Sequence, residues 1–325
     1  MSASQAPLPR KPKALLERRI WRRIWRRSTA QSGAFIGYAL MLYLVPLAGI
    51  AALLAAPSVL RWLLALPLVA LSGYGLYLMA IVAHEGFHFC LSDNKMRSCA
   101  LGCLVSAILP LFCATGFFVY HWQHHRHNNT LRDPDYRHFI AYQGLIGKVL
   151  LSRLVITARY ALQTVSLAAG ADTGPWSLPL ERRQMQALAR FNLLCQAVFL
   201  SGYAWLFLRF SDAMPVLLPV FLCTMLIASM NAFQEHAFPA GPVAPFARSR
   251  TSPLLTLLHA GSNFHIEHHL YPGIPCWRLG TVHAALRSAG WYDARADLLD
   301  AGTLGTFKYC LPTYAYGGTS FTTIT

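Results

Sequence analysis

The stretch LRWLLALPLVALSGYGLYLMAIVAHEGFH, residues 60–88, decides the fold class of this chain. Residues 60–82 form an apolar run that can cross the hydrocarbon core of a bilayer, which takes about 20 helical residues. His84 and His88 follow directly, and at a spacing of four they share one face of a helix. The stretch therefore predicts a transmembrane helix that leads into two potential metal ligands.

Three further runs, 33–55, 190–209 and 213–232, are also long and apolar enough to span a membrane. Short connections near Pro57 and Ser211 join the four runs in pairs, so each pair is predicted to form an antiparallel hairpin. The predicted fold class is an all-α integral membrane protein. It has four transmembrane helices in two hairpins, a cytoplasmic histidine-rich cap and interfacial helices.

Two other segments are predicted to stay at the membrane surface. Residues 98–119 are apolar but are interrupted by Pro110 and Gly116, and a crossing there would separate the histidines that precede it from those that follow. We expect this segment to be re-entrant or interfacial. Residues 145–168 carry basic side chains among leucines, which predicts an amphipathic interfacial helix.

The composition excludes an ordinary soluble protein. The chain is 55% hydrophobic and only 13% charged, whereas soluble domains carry about 25% charged residues. None of its eight cysteines forms a Cys-x-x-Cys pair, so a redox dithiol or a thiolate zinc site has no support. We expect one catalytic membrane domain, residues 31–290, between a basic N-terminal segment, 1–30, and a cytoplasmic tail, 291–325.

The net charge of +15 is concentrated near the N-terminus. Between Arg10 and Arg27, nine lysines and arginines accompany one acid, Glu17. Trp21 and Trp25 lie one helical turn apart, which suits the headgroup layer of a bilayer. The pattern predicts a basic amphipathic helix on the membrane surface, with a disordered basic tail as the alternative. A nucleic-acid partner is not expected, because no separate soluble basic domain exists to bind one.

The basic residues also predict the orientation. With four crossings, 26 of the 28 lysines and arginines fall on one face, and only Arg61 and Arg209 fall near the other. Because positive charge is retained on the cytoplasmic side, both termini, the loop 83–189 and the tail from 233 are predicted to be cytoplasmic. The expected location is a bacterial inner membrane.

The histidines beyond the first pair form two more clusters. His121-Trp-Gln-His124-His125 follows the interrupted segment, and His265-Ile-Glu-His268-His269 lies in the C-terminal part, with His236 just after the fourth apolar run. A catalytic zinc ion takes three protein ligands and an open position. Nine histidines instead suit two metals with four or five ligands each. Imidazole binds zinc, copper, iron and nickel, so the residues predict a dinuclear centre with iron as the favoured metal.

These clusters resemble the three histidine boxes of the membrane fatty acid desaturase and hydroxylase superfamily. Box one is His84-Glu-Gly-Phe-His88, box two is His121–His125, and box three lies within Asn263-Phe-His-Ile-Glu-His-His-Leu-Tyr-Pro272. Further similarities lie in Glu235-His236, in Asp133-Pro-Asp135, and in Pro275-Cys-Trp-Arg-Leu279 with His283. The resemblance extends from about residue 80 to residue 290 and is most specific in box three.

The resemblance implies a non-haem diiron enzyme that uses O2 as co-substrate and two external electrons. It also implies a lipid tunnel between the spans that brings a methylene group close to the metal pair. Glu85 and Glu267 are expected to orient histidines rather than to bind metal, with solvated carboxylates as the alternative. The ligands implied by position are His84, His88, His121, His124, His125, His236, His265, His268 and His269.

Other polar residues near the boxes are weaker candidates. His127 is interpreted as a neighbour of the centre or a surface residue rather than a tenth ligand, and Asn231 either approaches a metal through water or caps a helix. Asp133 and Asp135 are read first as a turn at Pro134 and second as partners of ligand histidines. The remaining histidines are expected to be structural or exposed: His138, His259 and His283.

The reaction is less sharply predicted than the oxidant. The amino-acid sequence of box three resembles that of acyl-lipid desaturases more than that of carotene ketolases. This favours introduction of a double bond into a fatty acyl or alkyl chain. Hydroxylation or ketolation of a lipid on the same site is the alternative. A zinc-dependent membrane hydrolase, with Glu85 activating water, is a distant one. A haem electron carrier is disfavoured, because its histidines would lie within opposed spans.

An external electron donor is expected. The sequence has no His-Pro-Gly-Gly element of a fused cytochrome b5 domain and no flavin or NAD(P)H fingerprint. Electrons would come from a ferredoxin or a cytochrome b5-like protein. The basic cytoplasmic face would suit an acidic donor.

Overall fold

In the computed structural model, the described residues are 18–55, 60–128, 130–142, 144–171, 177–210, 212–236 and 247–311. Regular structure within them is almost entirely helical. The helices are α1 (Arg18–Trp25), α2 (Thr29–Leu54), α3 (Leu60–Phe87), α4 (Lys95–Ser106), α5 (Ala114–His127), α6 (Pro134–Phe139), α7 (Ser152–Ala168), α8 (Arg182–Arg209), α9 (Ala213–His236), α10 (Pro253–Leu258), α11 (His265–Leu270), α12 (Leu279–Ser288) and α13 (Thr303–Thr306). A π-helical turn, Gly147–Leu151, precedes α7. The predicted all-α class is confirmed.

Four helices are long and apolar enough to cross a membrane, namely α2, α3, α8 and α9. They correspond to the four predicted spans. Two of them run further than the apolar residues do, because the backbone hydrogen bonds continue through the polar residues: α3 reaches Phe87 and α9 reaches His236. His84 and His236 therefore lie within the last turns of these helices, not beyond them. The pairing in two hairpins stays a prediction.

The chain forms two compact units. One unit comprises Ser28–Trp122 and Arg153–Ser229 and contains most of the long helices; we call it the helical unit. The other comprises Met1–Arg27, Gln123–Ser152 and Met230–Thr325; we call it the box unit, because its described residues include boxes two (in part) and three. The predicted domain boundaries at residues 30 and 290 stay predictions.

In the helical unit, α2 and α3 pack closely. The Ser72 hydroxyl donates to the Tyr43 carbonyl at 2.8 Å. A Cβ atom at Gly75 would lie 2.3 Å from the Tyr43 nitrogen, so this crossing requires glycine. Buried Leu76 and Met79 extend the same contact along α3. These contacts fix the helix whose end carries box one.

The helical unit also contains the interrupted segment, where α4 ends at Ser106 and α5 begins at Ala114. Neither helix is among the four candidate spans. Gln196 of α8 satisfies the irregular backbone between them, accepting from the Leu111 N–H at 3.1 Å and donating to the Phe112 carbonyl at 2.7 Å. Side-chain partners of this kind allow irregular backbone at membrane depth. The predicted break at Pro110 is confirmed, whereas Gly116, also expected to interrupt the segment, lies inside α5. The re-entrant placement stays a prediction.

In the box unit, α1 packs against the chain that follows box three. The Arg278 guanidinium donates to the carbonyls of Arg23 at 2.6 Å and Ile24 at 3.2 Å, and also to that of Arg26. The Trp21 ring meets the edge of Tyr271 at a centroid distance of 5.3 Å. A helix is thus present over residues 18–25, as predicted, and its Arg22 and Arg23 side chains are exposed. Residues 1–17 lie outside the described part of the chain, and placement on a membrane surface stays a prediction.

Two short strands complete the box unit. β1 (Ser249–Arg250) pairs in parallel with β2 (Leu299–Asp300). Arg248 forms an ion pair with Asp300 at 2.8 Å and donates to the Asp297 carbonyl at 2.5 Å. Lys148, expected on the polar face of an interfacial helix, is instead fully buried and donates to the Leu311 carbonyl at 2.5 Å. Residues 297–311 therefore contact Arg248, which precedes box three, and Lys148.

Candidate metal centre

In the helical unit, the histidines of box one meet the first histidine of box two. The potential ligand atoms of His84, His88 and His121 lie within 4.8 Å of one another. The His88 N–H donates to the His84 carbonyl at 3.0 Å, so His88 keeps the helical register although α3 ends at Phe87. Phe89 then takes a left-handed backbone conformation, φ 61°, that ends the helix.

The orientation of these side chains leaves ring nitrogens facing one another. The Nε2 atoms of His88 and His121 lie 3.0 Å apart. Nδ1 of His84 lies 3.3 Å from a carboxylate oxygen of Glu85, which is 1% exposed. Glu85 thus lies beside His84, and its role in orienting that histidine stays a prediction.

In the box unit, a second trio consists of His124, His236 and His269, whose potential ligand atoms also lie within 4.8 Å of one another. His265 adjoins this trio. Its Nε2 atom lies 3.0 Å from Nε2 of His236 and 3.2 Å from Nε2 of His269. Box three and the end of α9 therefore direct their imidazoles to one place.

The remaining two histidines of boxes two and three form a pair in the same unit. Nε2 of His268 lies 2.9 Å from Nε2 of His125, and the ring centroids are 4.7 Å apart. All nine histidines named as ligands are thus in contact with at least one other member of the set within its own unit.

The chemistry of these nitrogens fits a metal. A neutral imidazole carries one N–H and one lone pair. Where Nδ1 donates to a carboxylate, as geometry allows for His84 with Glu85 and His124 with Asp133 at 2.8 Å, the lone pair is left on Nε2. This arrangement is typical of metal-binding histidines. The other Nε2 atoms that face one another at about 3 Å share a hydrogen bond in one tautomer, whereas with both lone pairs exposed they can bind one cation.

The pKa values of two members of the trio, His269 and His124, are shifted in opposite directions. Burial, reinforced by His125 and His265, holds the pKa of His269 well below its usual value, which keeps this imidazole neutral and able to bind a metal. For His124 burial lowers the pKa, but the hydrogen bond and charge of Asp133 outweigh it, so the pKa is raised. Asp133 therefore offsets the effect of burial on the His124 imidazole.

Residues 57–296 match the family described as fatty acid desaturase, and this range contains all nine histidines. This chain belongs to the fatty acid desaturase family. Over 216 residues it is 28% identical to the beta-carotene ketolase of Paracoccus sp. (strain N81106 / MBIC 01143), an alignment that covers 61% of this chain and 71% of the ketolase. The chain is a membrane oxidoreductase of the desaturase and hydroxylase superfamily.

Glu267, the acid of box three in this desaturase-family chain, contacts residues outside the boxes. It is fully buried and accepts from the Ser249 hydroxyl at 2.6 Å, from Nδ1 of His283 at 2.5 Å and from the Tyr292 hydroxyl. Its histidine partner is thus His283, outside the boxes, whereas a ligand histidine was expected. Glu267 holds α11 against α12, and it positions the box through the backbone.

The polar residues named as weaker candidates differ in their contacts. Asp133 is buried, lies 2.8 Å from Nδ1 of His124 and also caps α6 by accepting from the Asp135 N–H at 2.9 Å. The helix start agrees with the expected turn, and support of a metal ligand stays a prediction. Asn231 accepts from Arg250 at 2.9 Å, which is neither of the roles expected for it. Among the described residues, neither trio includes His127. The histidines expected to be structural or exposed are buried: His138, His259 and His283.

Asn128 was expected to be only a packing or polar neighbour of box two, and Arg250 was not predicted at all. The Asn128 amide lies 2.9 Å from Nδ1 of His269. Its signal was available, because Asn128 follows His124 by four positions and shares its helical face. Arg250, by contrast, has no spacing relation to any box.

Proposed function

We propose that this chain uses O2 to remove hydrogen from an unactivated C–H bond of a lipid and introduces a double bond into a fatty acyl or alkyl chain. Two iron ions held by His84, His88, His121, His124, His125, His236, His265, His268 and His269 would supply the oxidising power. The observation that carries the proposal is the set of imidazole Nε2 atoms that face one another at 2.9 to 3.2 Å.

Iron is favoured over zinc by the number and kind of the ligands. A catalytic zinc ion takes three protein ligands and activates water with a nearby acid. The chain instead offers nine imidazoles, three in the helical unit and six in the box unit. Glu85, the acid such a hydrolase would use, is buried against His84. Membership of an oxidoreductase family also supports redox chemistry over hydrolysis.

The chain's own residues hold the protons of the site in place. Glu85 and Asp133 are placed to accept from Nδ1 of His84 and His124, and each imidazole would then offer Nε2 to a metal. Burial of the surrounding side chains excludes water, which strengthens the electrostatic interactions within the site.

Oxygen insertion is the second candidate. Loss of a second hydrogen from the neighbouring carbon gives an alkene, whereas oxygen transfer to the first carbon gives an alcohol and, after another oxidation, a ketone. The similarity to a beta-carotene ketolase favours oxygen insertion, while the amino-acid sequence of box three favours desaturation. The position of the substrate relative to the centre decides between them.

The surroundings of the reaction follow from the sequence. We place both termini and the histidine-rich loops on the cytoplasmic side of a bacterial inner membrane, since most basic residues fall there. Two electrons would arrive from a separate ferredoxin or cytochrome b5-like donor that docks on this basic face. Such docking should weaken with added salt.

The test is expression of the full chain in two bacterial hosts, one of which accumulates carotenoids, followed by mass spectrometry of lipids and metal analysis of the purified protein. His268→Ala is the control. New products two hydrogens lighter, absent from the control, support desaturation, and products with added oxygen support the second candidate. Protein that contains zinc alone or haem contradicts both.

A further inference from the structure

A buried cation lies beside the histidines of the box unit. Arg250, in β1, is 1% exposed. Its Nη1 atom donates to Asn231 Oδ1 at 2.9 Å and to Gln234 Oε1 at 2.8 Å, and its Nη2 atom donates to Glu235 Oε1 at 2.9 Å. A guanidinium removed from water destabilises a fold unless its N–H groups are paired. These bonds pair Nη1 and Nη2, while Nε has no hydrogen-bond partner among the described residues.

The three acceptors belong to the last two turns of α9. They occupy positions i, i+3 and i+4, which share one helical face, and His236 follows directly. A planar guanidinium that binds three side chains on one face fixes the rotation of the helix end. The direction of the His236 ring depends on that rotation.

Glu235 also connects Arg250 to box three. While Oε1 of Glu235 accepts from Arg250, Oε2 lies 3.7 Å from Nδ1 of His265. The other ring nitrogen of His265 faces His236. One carboxylate therefore stands between the buried cation and a histidine named as a ligand.

Ser249, the other residue of β1, contacts box three. Adjacent residues of a strand point to opposite faces. The Ser249 hydroxyl donates to Glu267 at 2.6 Å and accepts from the Ile266 N–H at 3.0 Å, while the Arg250 N–H donates to the Asn263 carbonyl at 3.0 Å. The two-residue strand thus attaches the end of α9 to the start of α11.

We propose that Arg250 is a positioning residue for the metal centre, because it holds Glu235 and the end of α9 so that His236 and His265 face one another. The inference rests on the proposed metal-binding function. It adds to that function a residue that contributes no ligand atom and lies outside all three boxes.

The chain contains a matched control. Arg248 is also a buried arginine, 3% exposed, and precedes Arg250 by two positions. The partners of its side chain, however, lie in the C-terminal segment: Asp300, the Asp297 carbonyl and the Tyr309 ring. Loss of the Arg248 side chain removes a similar buried cation without altering the Arg250 contacts to α9.

The experiment compares full-length wild type, Arg250→Met, Arg250→Lys and Arg248→Met in detergent. The readouts are ferrous iron affinity under anaerobic conditions, Mössbauer spectra of the loaded protein, and thermal unfolding of the iron-free protein. Loss of residues that orient metal ligands weakens metal binding by about 10–100-fold, and we expect this for Arg250→Met. Arg250→Lys should recover part of the affinity, because an ammonium keeps the charge but cannot match three fixed acceptors. Arg248→Met should lower the unfolding temperature and keep the iron affinity.

Glu235→Gln covers the case in which Arg250→Met does not fold. The amide keeps an acceptor for Arg250 but turns an NH2 group towards Nδ1 of His265, which disfavours a lone pair on Nε2. We expect a similar loss of affinity with a smaller loss of stability. Unchanged iron affinity in Glu235→Gln or Arg250→Met, or equal losses in Arg248→Met and Arg250→Met, would overturn the inference alone. A wild type that binds no iron would overturn the proposed function itself.

Discussion

Nδ1 of His124 lies 2.8 Å from a carboxylate oxygen of Asp133, and the two side chains are 1% and 0% exposed. The other oxygen of Asp133 accepts from the Asp135 N–H and so begins α6. One carboxylate therefore fixes both a helix start and the proton of an imidazole. The Asp-Pro-Asp sequence therefore starts a helix and also supports box two.

Replacing Asp133 with asparagine should weaken metal binding more than it weakens the fold. Asparagine still caps a helix well, but its neutral amide does not hold the His124 proton on Nδ1 as a carboxylate does. We expect iron affinity to fall about 10–100-fold, with a loss of less than about 1 kcal/mol in the free energy of unfolding. Metal titration and chemical denaturation of the same preparation measure both. A variant that loses stability but binds iron like the wild type would show that Asp133 is only a cap.

The sequence predicted the elements whose signal is local. Apolar length predicted α2, α3, α8 and α9, and the spacing of His84 and His88 predicted their contact. Helix ends were predicted less well, because a polar residue such as His84 does not by itself end the backbone hydrogen bonds of a long helix.

The supporting residues were harder to predict, since their partners are distant in the chain. Arg250 binds residues 15 to 19 positions before it, and no periodic pattern marks a buried cation. Glu267 appeared to serve the adjacent histidines. Residues at i and i+2 do not share a helical face, however, so its carboxylate points to His283, 16 residues later, while His265 faces the other histidines.

Gly116→Ala should separate α5 from α7. An alanine Cβ there would lie 1.9 Å from the Tyr160 carbonyl oxygen, closer than any real contact, and the two nearest atoms are both backbone atoms of Tyr160. Overpacking of this kind costs about 1–3 kcal/mol, and His121 on the same helix should move away from His88. Gly202→Ala in α8 is the control, because nothing lies within 4 Å of its added Cβ. Thermal unfolding that is lowered equally by the two substitutions would contradict this account.

Asn192→Leu should destabilise the start of α5. The Asn192 side chain is fully buried and accepts from the Thr115 N–H at 3.1 Å and from the Thr115 hydroxyl at 3.2 Å. Leaving a buried backbone donor unpaired costs about 1–3 kcal/mol. Leu194→Ala, at a position 62% exposed on the same helix, should change the free energy of unfolding by less than about 0.5 kcal/mol. Denaturation in mixed micelles compares the two, and equal effects would exclude a capping role for Asn192.

Ferrous iron should stabilise the folded chain, because a ligand that binds only the native state raises its stability by about 2.7 kcal/mol at 100 times its Kd. The unfolding temperature of the wild type should therefore rise when iron is added without oxygen and fall again with a chelator. His236→Ala should lose much of this rise, because it removes one member of the trio with His124 and His269. His138→Ala should keep it, although the apoprotein is less stable, because His138 bonds the Ser152 carbonyl at 2.8 Å and belongs to neither trio among the described residues. If iron stabilises His236→Ala as much as the wild type, then His236 is not a ligand, and the end of α9 supports the site without binding metal.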